Sequence, residues 1–148
     1  MTPTRYQLSL IFKMNKQNIV CLDVGEKRIG VAVADTSIKI AVPFDTLDVD
    51  DDINSTVLKL LDTEKADVLV VGYPRNQSGD TTAQTKYVEK FVDMLGPMDT
   101  NIVFQDESLT SVMAEKQLSD HGRPYKKGDI DALAAAIILQ DYLEQNVG

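Results

Sequence analysis

Asp23 closes the apolar run Ile19-Val20-Cys21-Leu22, Glu107 follows the stretch Ile102 to Asp106, and Asp131 opens the nearly all-apolar segment Ala132 to Leu139. A carboxylate beside a buried element is costly unless it is paired, hydrogen-bonded or holding a cation. Brought together, these three would offer hard oxygen ligands to a divalent metal, with positions left for water and a phosphate. The chemistry of such a site is phosphodiester hydrolysis or phosphoryl transfer. Each acid also has a plain structural reading. Asp23 can cap a turn before Gly25, Glu107 can be a surface acid in a strand-to-helix loop, and Asp131 can serve a helix dipole behind Asp129 as N-cap. Three such coincidences at the ends of apolar elements favour the joint site.

Cationic residues stand near these acids. Lys27 and Arg28 follow Asp23 and can neutralise phosphates or pair with the acids. Arg75, Asn76, Gln77 and Ser78 form a polar loop suited to a nucleic-acid backbone, and Arg123, Lys126 and Lys127 precede the last helix. Together they predict a basic rim around an acidic centre. Gly25, Gly72 and Gly79 are too scattered for a dinucleotide fingerprint, and no Gly-rich phosphate loop ending in Lys-Ser/Thr occurs. The single Cys21 lies inside an apolar run and reads as buried structure. His121, the one histidine, reads as a surface residue at a helix end.

The elements that must position these groups follow from periodicity. Asn18 to Asp23 is a continuous apolar strand, buried on both faces. Ile29, Val31 and Val33 alternate with small residues through Asp35, and the short Gly25-Glu26-Lys27 link makes the pair an antiparallel hairpin. Ile38 to Phe44 is expected as a third strand, with Pro43 marking a sheet border. A helix over roughly Asp52 to Thr63, a strand over Ala66 to Val71 and a helix bearing Ala83, Tyr87, Val88, Phe91, Val92 and Leu95 come next. Then follow a strand over Asn101 to Gln105, a short helix capped by Thr110 or Ser111, and a last helix from Asp129 or Ile130 to about Gln145. The order β-β-β-α-β-α-β-α-α predicts an α/β fold with a mixed five-stranded sheet flanked by helices. Ligands on such sheets bind beyond the carboxyl ends of the parallel strands. Asp23 and Glu107 fall at that end. The small residues Ala132, Ala134, Ala135 and Ala136 let the last helix bring Asp131 close.

The chain of 148 residues, 43% hydrophobic and 26% charged, suits one globular domain. Residues 16–148 read as that domain and 1–15 as an N-terminal extension. A lone cysteine and the lack of an apolar run long enough for a membrane span predict a cytoplasmic protein without membrane association. The net charge of −8 argues against broad nonspecific nucleic-acid binding, so any such contact must be local and assisted by cations.

At this point four blocks carry a resemblance. Leu22-Asp23-Val24-Gly25-Glu26-Lys27-Arg28-Ile29-Gly30-Val31-Ala32, Gly72-Tyr73-Pro74-Arg75-Asn76 with Gly79, Asp106 to Ser111, and Lys127 to Gln140 occur in one order. They resemble the motifs of the YqgF (RuvX-like) family of small RNase H-like proteins. That family is described both as Holliday-junction resolvases and as nucleases processing the 5′ end of pre-16S ribosomal RNA. The resemblance implies an RNase H-like nuclease in which Asp23, Glu107 and Asp131 are the catalytic and metal-binding acids, with Mg²⁺ or Mn²⁺. It implies Lys27, Arg28, Arg75, Asn76, Thr110 and Lys127 as nucleic-acid contacts. Structured pre-rRNA or branched DNA would be the substrate, and the protein a monomer or weak homodimer acting in ribosome biogenesis. Ser108 stands where the family commonly has arginine, Ala132-Leu133 replaces a frequent Ser-His pair, and Gly128 replaces a fourth acid of related resolvases. Two other classes share some of these features. Actin-like and sugar-kinase folds also use an Asp-x-Gly hairpin, but in two lobes, and a non-catalytic RNA-binding module of ribosome assembly would suit the acidic charge.

Overall fold

A computed structural model describes residues 2–7, 16–75, 78–107, 110–122 and 124–147, with the backbone alone at 110–112 and 115. The strands are β1 (Asn18–Val24), β2 (Arg28–Asp35), β3 (Val42–Asp48), β4 (Val68–Pro74) and β5 (Asn101–Glu107). The helices are α1 (Ile53–Thr63), α2 (Ala83–Leu95), α3 (Thr110–Asp120) and α4 (Lys127–Asn146). The predicted element order is the observed one. The five strands form one sheet in the order β3-β2-β1-β4-β5. β1 pairs antiparallel with β2, and β2 with β3. β1, β4 and β5 run parallel, so their carboxyl ends share one border of the sheet.

The unbroken apolar run of β1 follows from burial on both faces. Val20, Leu22 and Val24 join Ile53, Val57 and Leu61 of α1 and Val88, Phe91 and Leu95 of α2 in one core. Ile19 and Cys21 face the other way, into a core with Ala135, Ala136, Ile138, Leu139 and Leu143 of α4. The alternation of large and small residues in β2 has the same origin, since Ile29 and Val31 fill the first core while Ala32 faces α4. α3 packs on α4, burying Ala114.

Several boundaries differ from the periodicity. β3 is Val42–Asp48 and not Ile38–Phe44. The carboxylate of Asp35 accepts from the backbone N–H groups of Ser37 and Ile38, and Lys39 takes a left-handed φ of 63°, so a turn consumes the first half of the expected strand. Ile38 and Ile40 are left 64% and 59% exposed, which removes the apparent burial signal of that run. β3 does lie at the sheet border, where Pro43 can be tolerated. β4 begins later than Ala66 because Ala66 N–H still closes the end of α1 on Leu61 O, and it runs on through Gly72 to Pro74. β5 extends to Glu107, so this acid is the last residue of a strand and not a loop residue. α4 starts at Lys127 with Lys126 as its cap. Asp129 is therefore not the N-cap but lies inside the first turn, its carboxylate accepting the Lys126 N–H at 2.9 Å.

Candidate active site

Strand alternation sorts the carboxyl border of the sheet onto two faces. Cys21 of β1 and Val70 of β4 face α4, and so does Val103 of β5. By the same parity Asp23, Gly72 and Glu107 occupy the α4 face, one on each of three neighbouring parallel strands. Gly72 makes their meeting possible. A Cβ there would stand 2.7 Å from Oε2 of Glu107 and 2.9 Å from Cδ1 of Ile138. The Glu107 side chain thus lies across the bare backbone of β4, the strand between it and Asp23.

Asp131 arrives from α4. Gly30 is the cross-strand partner of Asp23. A Cβ on Gly30 would stand only 1.9 Å from the carbonyl oxygen of Asp131, so the helix backbone rests directly on β2 at this point. The first turn of α4 is also tied to β3, where Thr46 Oγ1 donates to Gly128 O at 2.5 Å. Gly128 thus serves the seating of α4, and a side chain there would face Thr46. At the other side, Thr85 donates its hydroxyl to Pro74 O and anchors the end of β4 to α2.

The electrostatics record this convergence. Burial pushes the Asp23 carboxyl up to about 6, and the charge of Asp131 adds to the shift. Burial also pushes Glu107 up to about 8, with Asp23 as the second cause. Beneath them, burial and then the charges of Asp23 and Glu107 push the Cys21 thiol well above its usual range. Asp131 is held differently. Arg28 Nε donates to its Oδ2 at 2.6 Å, with the two side chains 34% and 25% exposed. Among the described residues, no three acidic, histidine or cysteine side chains are grouped to hold a metal ion as they stand. The arrangement is a half-buried acid pair with a third carboxylate turned onto an arginine. Its donor set suits a hard divalent cation, because carboxylates whose proton affinity is raised by burial and by a neighbouring acid are relieved by positive charge.

The expected basic rim divides. Lys27 is exposed in the β1–β2 turn beside Arg28, and Lys127 is exposed one turn before Asp131 in α4. Arg75 is drawn to the opposite face. Its Nε lies 3.0 Å from Asp106 Oδ1, and its guanidinium sits 5.0 Å from the centre of the Tyr73 ring. Asn76, Gln77, Ser108 and Arg123 lie outside the described residues, as does the side chain of Thr110. His121 is exposed and bonds its ring to Gln117 O, consistent with a surface role. Sequence reasoning missed Gly30 and Gly72 as the two points of close approach. The signal for Gly30 was present in the small residues that alternate along β2.

The family model described as RuvX, Holliday junction resolvase, matches residues 17–145. A relative from Chloroflexus aurantiacus named "Putative pre-16S rRNA nuclease" is 40% identical over 136 residues, covering 88% of this chain and 89% of its own. One of the same name from Staphylococcus carnosus is 36% identical over 141 residues, covering 88% and 98%. Thermus thermophilus RuvC in complex with a Holliday junction superposes with a TM-score of 0.55 at 14% identity, covering 88% of this chain and 98% of that one. The Fowlpox virus resolvase bound to junction DNA gives 0.51 at 13%, covering 85% and 98%. At these identities the structural likeness speaks to the fold, which is the RNase H-like fold of the resolvases. The family model and the relatives together span nearly the whole described domain, and this chain is a member of the RuvX (YqgF) family.

Proposed function

We propose that this chain is a nuclease that hydrolyses phosphodiester bonds at the 5′ end of precursor 16S ribosomal RNA. The observation that carries the chemistry is the half-buried Asp23–Glu107 pair across Gly72 at the carboxyl border of the parallel strands, with Asp131 beside it on α4. The substrate rests on the name borne by relatives at 36–40% identity over nearly their whole length. Asp23, Glu107 and Asp131 would hold Mg²⁺ or Mn²⁺. A cation held there would supply Lewis acidity toward a phosphate oxygen and a water. The raised proton affinity of Asp23 and Glu107 belongs to the metal-free site, so taking up the cation would release their protons and leave both carboxylates to hold it and to orient the water. Lys27, Lys127 and Arg28 supply positive charge around this centre, where a chain of net charge −8 otherwise repels a phosphate backbone. Arg75, Asn76 and Thr110 would contact the strand further out. Residues 16–148 act as one domain, with 1–15 an extension, and the protein works in the cytoplasm as a monomer or weak homodimer.

A second reading, a resolvase of four-way DNA, is favoured by the family model's description and by the fold shared with RuvC. One experiment separates the two. Cleavage is measured with Mg²⁺ and with Mn²⁺ on precursor ribosomal RNA and on a four-way DNA junction, with Asp23→Asn as control. Cutting of the RNA at the 5′ end of 16S, lost in Asp23→Asn, is the expected result. Cutting of the junction alone selects the second reading. Full activity in Asp23→Asn removes the proposed centre, and saturable RNA binding without metal binding or cleavage selects a non-catalytic module.

A further inference from the structure

Among the described residues, Asp131 is the one acid of the three paired with a cation, and that cation belongs to the protein. The backbone places it there. Gly25 N–H donates to Arg28 O at 3.0 Å, which closes the β1–β2 turn and starts β2 at Arg28. From that position the half-buried guanidinium reaches across 103 residues of sequence to Asp131 Oδ2 at 2.6 Å. Asp131 is seated against Gly30, two residues further along the same strand, so the spacing between the pair is set by the sheet and not by loop conformation. Asp23 lies near enough for its carboxyl to feel the charge of Asp131. Three carboxylates at one sheet border repel one another, and one internal arginine offsets part of that repulsion.

We propose that Arg28 is a resident counter-cation that stands in for the divalent ion at Asp131 and thereby sets how tightly the site takes up metal. The proposal rests on reading Asp23, Glu107 and Asp131 as a cation site. A divalent ion using Asp131 meets a guanidinium already hydrogen-bonded to it, so the ion must share or displace that contact against like-charge repulsion. Arg28 is a positioning residue in this account. It lowers metal affinity while holding the metal-free site together. The two effects have opposite signs, and a purely structural arginine would not produce both.

The test measures binding of Mn²⁺ alone, by calorimetry or by the spin-resonance signal of the free ion, together with thermal melting in EDTA and in Mn²⁺. Arg28→Gln is expected to bind Mn²⁺ about tenfold more tightly than the native chain. Its melting temperature should be lower than native in EDTA and restored by saturating Mn²⁺. Arg28→Lys, which keeps a charge at the same place, should stay within about threefold of native. Lys59→Gln removes an equal charge from an exposed position on α1 and should change affinity by less than about twofold. Unchanged or weaker binding in Arg28→Gln overturns the proposal, as does equal tightening in Lys59→Gln or Arg28→Lys. If neither the native chain nor Arg28→Gln binds Mn²⁺ saturably, the cation site itself is wrong. If native binds and Arg28→Gln fails to tighten, only the role of Arg28 is.

Discussion

Gly30 of β2 and Asp131 of α4 are in backbone contact: a methyl group on Gly30 would stand 1.9 Å from the Asp131 carbonyl oxygen. Gly30 is also the cross-strand partner of Asp23. One missing side chain therefore sets both how close α4 comes to the sheet and how close its acid comes to the acid at the end of β1. A helix this tightly seated cannot accommodate even a single added carbon without lifting.

Gly30→Ala is accordingly expected to be strongly destabilising. The clash is with main chain, so no rotamer change relieves it, and overpacking of this kind costs about 2–3 kcal/mol. For a domain of this size that is a fall of roughly 6–10 °C in melting temperature, readable by calorimetry. A loss below about 2 °C would show that α4 is not held where described.

Gly72→Ala should behave differently although its clash is also below 3 Å. The nearest atom is Oε2 of Glu107, the far end of a flexible side chain, at 2.7 Å. The carboxylate can swing away at small cost, so melting should fall by only about 1–4 °C while Mn²⁺ affinity drops severalfold. Stability and metal binding should thus separate in this variant. Native-like affinity would mean that Glu107 does not serve the site from across β4.

The acid pair makes stability depend on pH. A carboxyl with raised proton affinity binds its proton more tightly folded than unfolded, so it contributes stability below its unfolded value, and that contribution is lost as pH rises through the folded one. For Asp23 the loss runs from about 3.8 to about 6, and for Glu107 from about 4.5 to about 8. In EDTA the native chain should therefore weaken between pH 5 and pH 8.5 relative to Glu107→Gln, by about 1–3 kcal/mol after allowance for solvent screening. Asp23→Asn should remove the lower part of this slope and melt higher than native at pH 8 while abolishing cleavage. Mn²⁺ should flatten the native slope, because a bound cation replaces the protons. Parallel melting profiles for native and Glu107→Gln would refute the acid pair.

Cys21 has no exposed surface, and its thiol is raised by burial and by the acids above it. Reaction with a thiol-specific disulfide reagent should be absent on the minutes scale in the native state and complete within seconds to minutes in denaturant. Fast native labelling would place Cys21 outside the α4-facing core.

Much of this architecture is legible in the amino-acid order. The continuous run ending at Asp23 announces a strand buried on both sides, and Ile29, Val31 and Val33 announce one that is large on one face and small on the other. The order of elements and the positions of the three acids at element ends follow from that. Ile38 and Ile40 look like strand residues, so periodicity starts the third strand earlier than the observed Val42–Asp48. Their alternation carries no information about the Asp35 carboxylate that folds the segment into a turn. Glu107 was legible as an acid after a strand, but not as the last residue of one, since its pairing opposite Pro74 depends on how far β4 runs.

Alternation and helical period are local properties of the chain, so the amino-acid order is enough to locate the elements and to put Asp23 and Glu107 toward the carboxyl ends of their strands. The assembled sheet was needed to turn Arg75 to the opposite face, to lay Glu107 across Gly72 toward Asp23, to seat α4 on Gly30 and to bring Arg28 to Asp131. These are contacts between residues far apart in the chain. Their distances follow from where strands and helix cross, and their energetics follow from burial, which the sequence pattern specifies only once the sheet is assembled.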